Sequence, residues 1–272
     1  MSSFVKKYDA YLDETYYYMK HNTGLEIYVM PKELSTSYAM LTAKYGSFDN
    51  RFAKKGAPMT EMPEGIAHFL EHKLFESEDG DAFTRYSETG ASANAYTSFD
   101  RTCYLFSCSD RFYDNLYILL DFVTHPYFTE QTVNKEQGII AQEIKMYDDS
   151  PYWRVLFNML EKMYYNHPVR VDIAGTVESI SKITDKLLYK CYNTFYDLSN
   201  MFVCVAGNVK SDEVIDFIDF RLINFAVFNG ADSFVCVGAG LIVLYFIIDT
   251  VKEYKLSKKE KEELPETKEE AK

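Results

Sequence analysis

The 272-residue chain is 47% hydrophobic and 16% aromatic, with 23 Tyr and 20 Phe, which excludes a disordered body and allows a core without disulfide staples. A formal charge of -12 leaves no basic stripe to neutralise phosphates and argues against a nucleic-acid partner. The five cysteines, Cys103, Cys108, Cys191, Cys204 and Cys236, form no CxxC pair and read as reduced core or strand residues.

The first twenty residues are too polar for the apolar core of a secretory signal, so the body is expected in the cytoplasm. Residues 25–30 read as a strand, with 38–45 as its partner. Residues 65–75 fit a helix, with Pro63 just ahead as an entry signal. Residues 94–108, rich in Tyr, Thr, Phe and Cys, read as one further strand. A helix over 112–123 is ended by His125-Pro126, and a second follows over 129–147 with Ile139, Ile140 and Ile144 as apolar contacts. Residues 201–205 form a strand closing at Gly207. This order predicts an α+β domain over 1–213, a largely antiparallel sheet with helices packed on it.

Residues 214–251 differ in character. Between 222 and 248 the only charge is Asp232, and the run 225–248 is long enough for a membrane span. A buried core helix interrupted at Asn229 and Asp232 is the alternative. Residues 252–272, with seven Lys against seven Glu, cannot bury a core and read as a solvated helix or disordered tail.

The strongest chemical signal is His68-Phe-Leu-Glu71-His72. On a helix, positions four apart project from one face, so both imidazoles can reach one metal. Glu71, on the flank of that face, can take a proton from a metal-activated water without being a ligand. Two histidines and a glutamate exposed by chance on a surface helix would show the same letters. Against that stand Ile66, Ala67, Phe69, Leu70, Leu74 and Phe75, which would half-bury the polar groups and leave them needing partners. A catalytic zinc takes a third protein ligand. Glu136 and Glu143, seven apart on the next long helix, share a face, so one can bind metal while the other orients a ligand. Glu143 is the favoured ligand.

These motifs resemble the insulinase/pitrilysin-type zinc metallopeptidases, the inverzincins, and most of all their bacterial processing-peptidase-like members. The likeness extends to residues 90–104, His125-Pro-Tyr-Phe128, 143–149, 168–180 with Gly175-Thr176, and Ala206-Gly-Asn-Val209, covering about 10–215. It implies a half-clamshell domain that binds Zn2+ through His68, His72 and Glu143. Glu71 would be the general base and Glu136 a supporting carboxylate. Asn94 and Ala95 would lie on an edge strand that pairs with an extended peptide or protein substrate. It also implies a second, similar domain closing over the substrate. Nothing after Val209 looks like it, so a separate chain could supply it.

Residues 214–220 and 225–232 resemble the C-terminal end of a lipoprotein signal peptidase. Asp232 would match one aspartate of that enzyme's dyad. The Asp-Arg pair that would carry the other is missing after Gly207-Asn208, so Asp232 reads as vestigial. Lysines 252, 255, 258, 259 and 261 would hold the tail on the cytoplasmic side of a membrane, which puts the body outside without a secretory signal. The chain is therefore expected to be a zinc endopeptidase, or else a catalytically incompetent membrane-associated fragment or chimera that keeps the metal site.

Overall fold

The chain opens with four strands, β1 (Val5–Asp9), β2 (Glu14–Lys20), β3 (Glu26–Pro31) and β4 (Ser37–Ala43), of which β3 and β4 bury alternate side chains. This is a computed structural model, and it describes residues 5–222 apart from 54, 55, 57 and 79, with backbone alone at 220–222. A short pair, β5 (Arg51–Phe52) with β6 (Thr60–Glu61), precedes helix α1 (Ile66–Leu74). Another, β7 (Glu76–Ser77) with β8 (Gly80–Asp81), leads into α2 (Ala82–Thr89). Strands β9 (Ser92–Thr97) and β10 (Thr102–Cys108) follow. Then come α3 (Phe112–Thr124), α4 (Glu130–Asp148), α5 (Pro151–Met163), α6 (Val177–Ile180) and α7 (Asp185–Phe195). Strand β11 (Met201–Gly207) and helix α8 (Ser211–Leu222) end the described part.

Seven strands make one sheet in the order β1-β2-β3-β11-β4-β10-β9. Only β3 and β11 run parallel; every other pair in it is antiparallel. The α+β expectation holds for this body. Ile27, Val29, Leu41, Val203, Val205 and Phe106 point into the core, where α1 and α3 lie against β10. Burying these side chains contributes roughly 1.5–3 kcal/mol each.

Two strand expectations are corrected. Residues 25–30 do not pair with 38–45, because β11 lies between them: Val203 is opposite Ile27 on one side and Leu41 on the other. A strand with an alternating buried face on both neighbours competes successfully for the central slot, wherever it falls in the chain. Residues 94–108 are two strands, not one, and the Ser98 N–H donates to the Arg101 carbonyl at 2.8 Å to close the turn between them. That turn, Ser98-Phe99-Asp100-Arg101, carries the turn formers Ser98 and Asp100 but neither Gly nor Pro, the stronger signals.

Helix α8 runs across position 213 and buries Val214, Ile215 and Ile218 in the core, against β3. The compact unit ends at Leu222. Most of the expected hydrophobic segment, with Asp232 and Cys236, and the charged tail lie outside the described residues. Among the described residues no helix is long and apolar enough to cross a membrane.

Candidate metal centre

Helix α1 starts at Gly65, whose φ of 85° is left-handed and whose missing side chain lets the Ala174 carbonyl approach; a Cβ there would stand 2.3 Å from that oxygen. Gly175, at φ 73°, meets the Glu64 carbonyl in the same way from the other side. This backbone-to-backbone contact seats the start of α1 against the loop before α6. Gly175-Thr176 therefore serves packing, and Thr176 also caps α6 through the Ser179 N–H.

Along α1, Ile66, Phe69, Leu70 and Leu74 are buried in the core, and the turn geometry then aims His68 and His72 at α4. Their rings meet edge to face at 4.7 Å. His68 Nε2 stands 3.7 Å from one oxygen of Glu143 and His72 Nε2 stands 3.4 Å from the other. These spacings are close to those of co-ligands: atoms bound at about 2.0–2.1 Å to a tetrahedral zinc stand about 3.3–3.4 Å apart. His68, His72 and Glu143 form a candidate metal site, with one donor atom from each within 4.8 Å of the others.

Glu136 sits behind His72, whose Nδ1 donates to its carboxylate at 3.0 Å. That bond selects the tautomer with the Nε2 lone pair free for a metal. His68 Nδ1 is buried without a protein partner, which leaves ring orientation at that residue to packing. The donor set therefore fits zinc, and Zn2+ is the cofactor of this site.

Burial holds the His68 imidazole down to about 4, helped by the charge of His72. Burial pulls His72 the same way, but hydrogen bonds to Glu136 and Glu143 outweigh it and push it up to about 10. The bond from His72 drops Glu143 to about 2. In the metal-free site His72 is thus the cation and Glu143 the anion, and an incoming metal takes the proton's place. Glu71 is not among the converging atoms. It is 7% exposed, burial raises its pKa, and its Oε2 accepts the Thr97 hydroxyl proton at 2.6 Å.

A cavity of about 950 Å3 opens over these groups, with Asn94 and Ala95 of β9 on one wall and Trp153 and Ile139 on another. Strand β9 is the last in its sheet. The Ala95 N–H donates to its neighbour's Asn94 Oδ1 at 2.9 Å.

Every candidate site residue from the sequence lies on this cavity. Sequence reasoning missed Thr97, Tyr147 and Trp153. Tyr147 is hydrogen-bonded to Glu143, and burial together with that carboxylate pushes it up to about 12. It lies four residues after Glu143 on α4, a spacing that could have identified it. Trp153 stacks on Tyr147 at 4.7 Å and donates its indole proton to Asp172, a contact with no local signature.

Residues 54–177 match the family described as Insulinase (Peptidase family M16), and residues 155–248 match Signal peptidase (SPase) II. An uncharacterized zinc protease of Bacillus subtilis, YmfH, is 58% identical over 206 residues, which are 75% of this chain and 48% of that protein. A second uncharacterized zinc protease from that organism, YmxG, is 32% identical over 164 residues, 57% of this chain and 40% of that one. A crystal structure of an M16-like peptidase from Alicyclobacillus acidocaldarius has a TM-score of 0.74 at 41% identity, covering 83% of this chain and 51% of that one. The chain thus spans about half the length of the relatives it matches.

Proposed function

The body of this chain belongs to the insulinase family of peptidases (M16), and from that premise we propose that it is a zinc endopeptidase domain with Glu71 as general base. The observation that carries the proposal is the convergence of both imidazole Nε2 atoms on Glu143, with a buried, uncoordinated carboxylate beside them.

Zinc bound there supplies Lewis acidity that acidifies a water and polarises the scissile carbonyl. The remaining work falls to the chain's own groups. His68, His72 and Glu143 hold the metal, while Glu136 fixes His72 in the donor tautomer. The Glu71 carboxylate accepts the proton of the attacking water and returns it to the amine of the leaving peptide. Burial raises the pKa of Glu71, so the carboxyl can hold that proton between the two transfers. An extended peptide adds to the free edge of β9 alongside Asn94 and Ala95, which binds backbone without demanding a sequence. A second domain or separate chain would close the cavity from the far side and exclude water.

The test is zinc content and peptide hydrolysis measured on one sample of the full chain. About one zinc per chain is expected from a single three-residue site, lost in His68→Ala and Glu143→Ala. Hydrolysis should vanish in Glu71→Gln with zinc retained; a Glu71→Gln variant as active as wild type would sink the role of the base. The match over 155–248 to an unrelated peptidase family favours a second reading, a membrane-associated fragment or chimera that keeps the metal without turnover. Zinc without hydrolysis under any condition would select it.

A further inference from the structure

A general base must present one oxygen in one direction, yet the last torsion of a glutamate is broad and roughly two-fold. We propose that Thr97 is the positioning residue for Glu71, an inference that rests on reading Glu71 as the base. Thr97 Oγ1 lies 2.6 Å from Glu71 Oε2 and also 3.4 Å from Thr102 Oγ1. The buried Thr102 hydroxyl is committed elsewhere, to the Tyr45 carbonyl at 2.9 Å. Each hydroxyl has one proton, so Thr102 gives its proton to the carbonyl and Thr97 gives its own to the carboxylate. No proton is left between the two hydroxyls, so the single Thr97 proton is spent on Glu71 alone.

The strand itself explains why this residue is placed to do it. Along β9, Ala93, Ala95 and Thr97 alternate onto one face, and Ala93 and Ala95 pack against the core. Small side chains let α1 come close, and Thr97 is the polar group on that face. It lies opposite Thr102 in the β9–β10 ladder, so its hydroxyl is fixed by a paired strand on one side. The backbone proposed to receive the peptide is two residues away at Ala95. Base and substrate are then referenced to one rigid element, as a near-attack geometry requires.

Two measurements on the full chain test this. In the hydrolysis assay, Thr97→Val should lower kcat by about 10–100-fold with KM and zinc content unchanged, as for loss of an outer-shell partner. Thr97→Ser, which keeps the hydroxyl, should restore most of the rate. Loss of zinc or a raised KM in Thr97→Val would overturn the proposal, because the residue would then be holding the metal or the substrate. The second measurement needs no activity: thermal unfolding of metal-free protein in a double-mutant cycle with Glu71→Met, an apolar side chain of similar length. Thr97→Val should lower Tm by about 2–4 °C when Glu71 is present, since a buried carboxylate loses its hydroxyl donor and keeps only the main-chain bond from Thr97. It should change Tm by less than about 1 °C in the Glu71→Met background. Equal effects in the two backgrounds would overturn the proposal. If the wild-type chain hydrolyses nothing, the endopeptidase reading fails and the thermal cycle alone decides for or against Thr97.

Discussion

Helices α1 and α5 are both rich in apolar residues, but eight of the nine residues of α1 are buried and none of the thirteen of α5 is. On α1 the surroundings are closed except where the cavity opens, and most polar groups find a partner: His72 has Glu136, Glu71 has Thr97, and the fully buried Lys73 is paired with Glu76. On α5, Trp153 and Phe157 stack inward while Tyr152, Val155, Met159 and Met163 form an exposed stripe at helical spacing. The difference teaches that apolar content alone does not locate a core. What distinguishes α1 is that sheet, α4 and α7 all press on it, and this enclosure is what makes its few polar groups chemically useful.

The contrast can be broken most directly by removing mass from α1. Phe69→Ala deletes a fully buried ring and should cost about 3–5 kcal/mol in denaturant unfolding. Metal removal comes next. The proposed ligands tie α1 to α4, so a chelator should lower stability by about 2.7 kcal/mol relative to zinc at a hundred times its Kd. Hydrogen exchange should then quicken in α1 and α4 and stay unchanged in α5. Gly65→Ala should cost about 1–3 kcal/mol by the same unfolding assay, through a strained φ and a clash with the Ala174 carbonyl. Smallest of all, the paired change Val155→Ala and Met159→Ala on α5 should stay within about 0.5 kcal/mol per site. A cost on α5 equal to that on Phe69 would mean the exposed stripe is covered in the protein as it exists.

Much of the site was legible because its signals are local. The four-residue spacing of His68 and His72 and the seven-residue spacing of Glu136 and Glu143 each need only a helix to put their members on one face. The end of α3 followed from a similar cue, His125-Pro126, while Thr129, read as the first residue of the next helix, is the cap of α4. Strands β1 and β2 were missed. Their tyrosines and charges mix on both faces, with β1 mostly exposed and β2 mostly half-buried, so no clean alternation marks them. The β9–β10 hairpin was read as one strand because its turn carries Ser98 and Asp100 but no Gly or Pro, and with it went the chance of seeing Thr97 opposite Thr102.

By itself, then, the sequence determined which residues could be metal ligands, which helices carry them and which family the body resembles, because periodicity and spacing are properties of a few consecutive turns. Only the tertiary structure decided that β11 separates β3 from β4, and that His72 meets Glu136 and Glu71 meets Thr97. It also decided that α5 keeps an uncovered face. Those outcomes depend on which surfaces compete best for burial across distances of tens to more than a hundred residues, and no local pattern encodes the winner.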